Sequence, residues 1–332
     1  MLLQSADCGT QLCEEHGHIG FNSSRSSTFS GTSDELVKFF GIARWEGHQA
    51  NESIGIGDLR FPSVPFLLAD YIVPLGWLHW YYDYDGVLGL SPQSPAWIAM
   101  QESGLLEENI IGLKFPSGPI DAELAGHRDD GELVLGGISP DFSSAPFTDL
   151  PLAGGDSALW WATPLQSLSV LNKSIVQPFP LPEGQLAGFV SADPFITLPA
   201  PLAEALMGQV WPNATGISAG FPHFPCEMRD SLVDVIVSLG EGDLIWNLTI
   251  SPYDYSVHVV NRARDIDNCL MVTYPGEYNN IVLGWPILRR FYTVFDNGRK
   301  LIRCKPSQPS SLLLAEPYLL TKMTVTPKPD ID

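Results

Sequence analysis

The sequence predicts an all-β chain folded as two homologous lobes with a few short helices. Short apolar or alternating runs are interrupted by Gly, Pro, Ser or Asn about every ten residues, the texture of strands joined by turns. The run Asp85-Gly-Val-Leu-Gly-Leu90 is echoed by Ile281-Val-Leu-Gly284. Each is an apolar strand that reaches a glycine and is followed within a few residues by a proline-started helix, so each lobe carries one copy of a close strand–helix contact. A length of 332 residues with 45% hydrophobic content can fill two cores.

Along the chain, Glu132-Leu-Val-Leu135 before Gly136-Gly137 reads as a strand closed by a turn. Val233-Asp-Val-Ile-Val-Ser238, and Tyr292-Thr-Val-Phe295 before Asp296-Asn297-Gly298, read the same way. Ser94-Pro95 caps a helix over Ala96–Ser103 that Gly104 stops. Pro201–Met207 before Gly208 is a second helix, and Pro286–Arg290 a short third. The Gly/Pro/Ser-rich stretch Ser139–Gly155 sets the lobe boundary, with Trp160-Trp161 opening the second lobe. The lobes are therefore expected at 1–148 and 149–306, followed by a loose tail, rich in Pro, Ser and Lys, over 307–332.

With 38 acidic and 18 basic residues the net charge is −20, which excludes a nucleic-acid partner that needs a basic surface. The same charge suits a protein kept soluble in an acidic medium, where self-repulsion relaxes, and equally an ordinary acidic secreted surface. Five Asn-x-Ser/Thr sequons, at Asn22, Asn51, Asn172, Asn213 and Asn247, point to glycosylation and a secretory history. Met1–Cys8 nevertheless has neither the basic start nor the apolar core of a signal peptide, which would follow if the true beginning were missing. No apolar run spans a bilayer; Leu312–Leu320 is interrupted by Glu316 and Pro317.

Five cysteines fall as a close pair (Cys8, Cys13), a distant pair (Cys226, Cys269) and Cys304. Cys8-x4-Cys13-x2-His16-x-His18 fits a zinc site or, more simply, a short local disulfide. Gly216-Ile-Ser218-Ala-Gly220 matches a nucleophile elbow, but the prolines in Phe221-Pro-His-Phe-Pro225 forbid the helix that motif requires. Gly55-Ile-Gly57 lacks the third glycine of a dinucleotide loop, and there is no P-loop, so no cofactor is expected. Trp77, Trp80, Tyr81, Tyr82 and Tyr84 form either a stacking surface or core filling.

Seven segments in order resemble the pepsin-like aspartic proteases, especially secreted or vacuolar fungal ones, from about Ser5 to Pro306. Ser5–His16 with Phe21–Phe29 is similar to the segment after the first catalytic aspartate. Phe40-Gly41 with Gly47 looks like the flap, Tyr84–Leu90 like Phe-Asp-Gly-Ile-Leu-Gly-Leu, and Gly131–Gly137 like the lobe-ending strand. Ala187–Pro199 resembles the second active-site segment, Cys226 and Cys269 match the second-lobe disulfide, and Ile281–Asp296 looks like the closing motif. The resemblance implies a bilobal acid-protease fold whose first lobe lacks its N-terminal strands. It implies a monomer, extracellular or vacuolar, that takes a peptide or protein in the interlobe cleft. It also implies Cys8–Cys13 and Cys226–Cys269 disulfides in solvent-facing parts of the lobes, with Cys304 free.

The family's chemistry needs two facing carboxylates that share a proton and activate a water. Counted back from Pro199, the second aspartate falls on Val190, with Ser191 and Ala192 in place of Thr-Gly. By the spacing to Cys8, the first lies about six residues ahead of Met1. The flap tyrosine is Phe40, which keeps the ring and loses the hydroxyl. Asp193 lies three residues beyond the required position, about 10 Å away if extended. Its place before Pro194 suits a turn or cap. The chain is therefore expected to be an aspartic endopeptidase homologue without its activity. The alternatives are an active acid endopeptidase with a mis-assigned start and a non-cleaving, inhibitor-like binding module.

Overall fold

The structure is a computed structural model that describes residues 1–14, 18–40, 43–74, 84–115, 131–144, 146–218, 220–261, 266–276, 280–307 and 322–325. It is mostly β, with few short helices, as the pepsin-like reading requires. The chain forms two compact units, one over Met1–Glu107 and one beginning at Glu108.

The first unit holds β1 (Leu2–Gln4), β2 (Ser30–Phe40), β3 (Ala43–Ile56), β4 (Leu59–Pro74) and β5 (Gly86–Val87). They form one sheet in the order β2-β3-β4-β1-β5. β2, β3 and β4 are a long antiparallel meander, whereas β1 runs parallel to β4 and antiparallel to β5. Alternation on β3 buries Ala43 and Trp45; past a register shift at Glu46/Gly47, Ala50 is buried in a separate cluster with Phe66 and Leu68. Trp45 gathers with Cys8, Cys13, Ala43, Leu67, Ala69 and Ile72 into one apolar cluster. Each large side chain sealed this way is worth roughly 1.5–3 kcal/mol. The predicted helix after Ser94 spans Pro95–Glu102 (α2, after the four-residue α1 at Gln11–Glu14) and buries Ala96, Trp97 and Met100.

The second unit starts with β6 (Ile110–Lys114), β7 (Glu132–Leu135), β8 (Thr148–Pro151), β9 (Ala162–Asn172) and β10 (Ile175–Phe179). There follow β11 (Leu186–Phe189), β12 (Ile196–Pro199), β13 (Gly216–Ser218), β14 (Phe221–Phe224), β15 (Asp234–Glu241) and β16 (Leu244–Ile250). The last are β17 (Ser256–Asn261), β18 (Ile266–Met271), β19 (Thr273–Gly276), β20 (Ile281–Leu283), β21 (Phe291–Asp296), β22 (Leu301–Pro306) and β23 (Lys322–Val325). The remaining helices are α3 (Ala200–Val210), α4 (Pro252–Tyr255) and α5 (Trp285–Leu288). The two helices predicted from Pro201 and Pro286 are α3 and α5.

An eight-stranded sheet runs β16-β15-β9-β11-β20-β12-β19, with β10 against β9; β13, β14, β18 and β17 make a four-stranded sheet. A six-stranded sheet runs β23-β7-β6-β21-β22-β8. The Ser139–Gly155 stretch lies within this second unit, because β8 pairs with β22 while β6 and β7 join the same sheet on its other side. Of the 307–332 segment, Ser307 and the parallel pairing of β23 with β7 are described.

Both disulfides form: Cys8–Cys13 with Cα atoms 5.9 Å apart and Cys226–Cys269 at 4.9 Å. Cys304 is free and buried. The expectation of solvent-facing bridges fails, since Cys8, Cys13 and Cys269 are buried. A cystine is apolar, and the first bridge packs beneath Trp45 and Leu67 in the cluster above.

Candidate active site

The geometry around Val190 is built by three short strands of the second unit. β20 lies between β11, which runs parallel to it, and β12, which runs antiparallel. Ala187, Gly188 and Phe189 pair with Ile281, Val282 and Leu283; Ile196 and Thr197 pair with Leu283 and Val282. The chain leaves β11 at Phe189, turns through Val190–Asp193 and enters β12 at Ile196. Apolar runs of three or four residues suit this, because central strands are covered on both faces.

Backbone hydrogen bonds fix the turn. Val190 N–H donates to the Leu283 carbonyl at 3.2 Å, and Asp193 N–H donates to the Val190 carbonyl at 3.2 Å. Trp285 N–H donates to the Asp193 carbonyl at 2.9 Å, tying the turn to the start of α5. Gly284 is needed there, since a Cβ would stand 2.1 Å from the Phe195 carbonyl oxygen and 2.3 Å from that of Asp193. Gly188 is needed one strand earlier, where a Cβ would lie 1.8 Å from the Trp160 ring. Trp160 is a neighbour the sequence reading did not identify as part of this region. The signal was present, because an isolated glycine inside a strand marks a close approach.

Val190 is half-buried, and its isopropyl group offers neither a proton nor a hydrogen bond. Ser191 and Ala192 are exposed. Asp193 is the one acid of this turn. Its Oδ1 accepts from Phe195 N–H at 2.9 Å, the local turn bond that its sequence position suggests. Burial pushes its carboxyl up to about 6, against the smaller opposing pull of the Phe195 N–H. The arrangement thus contains a carboxylic acid that is neutral in mild acid, engaged in shaping the turn, and an apolar group at the strand end.

In the first unit, Phe40 closes the β2–β3 hairpin, pairing with Ala43; Gly41 lies outside the described residues. Phe40 meets Tyr84 edge-on at 6.1 Å, and Tyr84 stacks on Trp45 at 6.2 Å. Tyr84 therefore fills core; Trp77, Trp80, Tyr81 and Tyr82 lie outside the described residues. Cys8 and Cys13 are bonded to each other, which removes the two thiolates a zinc site there would use, and His16 lies outside the described residues. His18 Nδ1 lies 3.0 Å from Asp85 Oδ1. Among the described residues no cluster of three His, Cys, Asp or Glu could hold a metal, and no helix is long and apolar enough to cross a membrane. Ser218 ends a strand that pairs with β14, so a strand follows the Gly-x-Ser-x-Gly segment where an elbow needs a helix. Asn22, Asn172, Asn213 and Asn247 are exposed and Asn51 is half-buried.

Comparison with known proteins gives this geometry its context. Residues 3–306 match the model of the eukaryotic aspartyl protease family. The chain is 25% identical over 310 residues to vacuolar protease A of Aspergillus fumigatus, covering 90% of this chain and 70% of that one. It is 24% identical to the vacuolar aspartic protease of Candida albicans, covering 92% and 68%. It is 23% identical to pepsin A of Sus scrofa, covering 91% and 74%.

Proposed function

Because the chain belongs to the eukaryotic aspartyl protease family, we propose that it is a pepsin-like homologue that holds a peptide or protein ligand without cutting it. The observation that carries this is Val190 at the end of β11, the position that the resemblance equates with the second catalytic aspartate. Peptide hydrolysis by this family rests on two carboxylates that share one proton. With valine at one of the two positions no proton can be shared, whatever precedes Met1. A general acid or base contributes roughly 10²–10⁴-fold each, so loss of one already removes most of the rate. The backbone frame is intact around the substitution, which favours retained binding over a collapsed site.

The vacuolar relatives, the five sequons and the net charge of −20 favour a glycosylated monomer in an acidic compartment or outside the cell. The rival reading, an acid endopeptidase, is favoured by one observation: Asp193, with its carboxyl raised to about 6, is an acid near the required place. The test of the binding reading is capture at acid pH. Immobilised protein is incubated with a mixed peptide digest, and the retained peptides are identified by mass spectrometry. Intact peptides retained above a Val190→Arg control support it. Retention no greater than that control overturns it.

A further inference from the structure

We propose that a cavity of the second unit is the seat of this chain's own N-linked glycan, attached at Asn172 on the cavity rim. The site takes a neutral amino-sugar ligand, the pair of N-acetylglucosamine residues that begins such a glycan. The inference rests on the glycosylated state proposed above and not on whether the chain cuts peptides.

The cavity has a volume of about 550 Å³, an ordinary size for a small-molecule site. It opens where three segments of the unit meet: the β9–β10 turn at Asn172, the stretch from Arg229 to Asp234 that leads into β15, and Ser251–Tyr253 at the start of α4. Its ionic side chains balance, Lys173 and Arg229 against Asp230 and Asp234. An ionic ligand of either sign would meet a like charge there, so a neutral ligand rich in hydroxyl and amide groups fits best.

Tyr253 supplies an apolar wall. Its ring is exposed, its hydroxyl donates to Asp230 Oδ1 at 2.8 Å, and the Arg229 guanidinium lies 5.0 Å from the ring centroid. Arg229 is held in turn by Ser256, with Nε donating to Oγ and Nη2 to the carbonyl, both at 2.9 Å. The ring is therefore set in place before a ligand arrives, and binding does not have to order it. The C–H face of a pyranose can lie on such a ring while its hydroxyl and acetamido groups reach the surrounding carboxylates and guanidinium.

The occupant is identified by what stands on the rim. Asn172 lines the cavity and begins the sequon Asn172-Lys173-Ser174. β9 pairs with β10 through Asn172 and Ile175, so Lys173 and Ser174 form a two-residue hairpin turn, with Lys173 left-handed at φ 55°. The turn is exposed, which presents the Asn172 carboxamide for glycosylation. A sugar joined there is tethered at the cavity mouth. Tethering acts as a high local concentration, so a seat that would hold free sugar only weakly is filled. Asn247 is the internal control, an exposed sequon residue on β16 that does not line this cavity.

The test expresses the full chain behind a secretion leader in a eukaryotic host that makes high-mannose glycans, and mass spectrometry reads the occupancy of each sequon. Endoglycosidase H, which cuts between the two N-acetylglucosamine residues, is then added to the native protein. The Asn172 glycan should be released roughly tenfold more slowly than the glycans at the other occupied sequons, Asn247 among them, and at their rate after denaturation. Tyr253→Ala should abolish the difference. Ser174→Ala, which removes the glycan and keeps Asn172, should speed amide hydrogen exchange roughly tenfold over 229–234 and 251–253 and leave β16 unchanged. Glycans at other sequons with Asn172 bare would overturn this proposal alone, whereas no glycan at any sequon would overturn the glycosylated reading with it. Equal native release rates would overturn it. Unchanged exchange in Ser174→Ala would do the same, and that arm stands even if Tyr253→Ala fails to fold. Slow release that persists in a folded Tyr253→Ala would mean a shielded turn without a sugar seat, and would also overturn it.

Discussion

The two strand frames share one plan and, among the described residues, differ in what is paired beyond the antiparallel neighbour. In the first unit β1 has a parallel neighbour, β4, and an antiparallel one, β5. In the second, β12 has β19 and β20 in the same roles, and β11 is added beyond β20. The second frame is locked by backbone: Val190 and Asp193 bond to Leu283, Trp285 and each other, and Gly284 is pressed against two carbonyls. None of these contacts uses the side chain of residue 190. The comparison teaches that the scaffold and the chemistry of this region are separable. The turn's backbone bonds are complete with valine at position 190.

The sharpest way to break the comparison is at the two glycines that end the echoed strands. Gly284→Ala would drive a methyl into backbone oxygens that cannot yield, and a loss of about 3 kcal/mol or more is expected in a urea melt. Gly89→Ala would meet only the Ser94 side chain, its Oγ 3.1 Å away, and displacing that Oγ from its bond to the Gly89 carbonyl should cost about 1 kcal/mol. Equal losses would mean that the two frames are equally tight.

The disulfides sharpen it next. Cys226–Cys269 spans 43 residues of sequence and Cys8–Cys13 spans 5. If loop closure in the unfolded chain governs, removing the first pair by double alanine substitution should cost about 4 kcal/mol and the second about 2 kcal/mol. Comparable losses in thermal melts would show that burial of the Cys8–Cys13 bridge beside Trp45, rather than loop length, sets its worth.

A smaller effect should follow pH. The Asp193 carboxyl is raised to about 6 by burial, so the native state disfavours its ionised form. Its contribution is fully present below the ordinary carboxylate range near 4, and it is lost as pH rises through about 6. A loss of about 1–3 kcal/mol between pH 4 and 7 is expected, discounted for the partial exposure of the residue. Asp193→Asn keeps an acceptor for Phe195 N–H and should flatten that part of the stability profile. An unchanged slope would place the titration elsewhere.

Much of the frame was legible because it is locally encoded. Prolines at helix starts gave α2, α3 and α5, and glycine-ended apolar runs gave β7 and β20. What could not be read depends on contacts between distant segments. The parallel pairing of β23 with β7 and the grouping of β6, β7 and β8 with β21 and β22 have no local signature. The same holds for Trp160 over Gly188 and for the bond from Trp285 to Asp193. Burial of the Cys8–Cys13 bridge was misread because cysteine spacing reports loop length and says nothing of what packs on the sulfur.

The central claim, that Val190 leaves this frame without catalysis, is tested most directly by digestion. The unmodified chain and Asp193→Asn are incubated with denatured globin or casein at acid pH, and new amino termini are counted by mass spectrometry. The account predicts none above background from either protein. Cleavage by the unmodified chain that Asp193→Asn abolishes would contradict it, and would assign the catalytic carboxylate to the turn residue that accepts from Phe195.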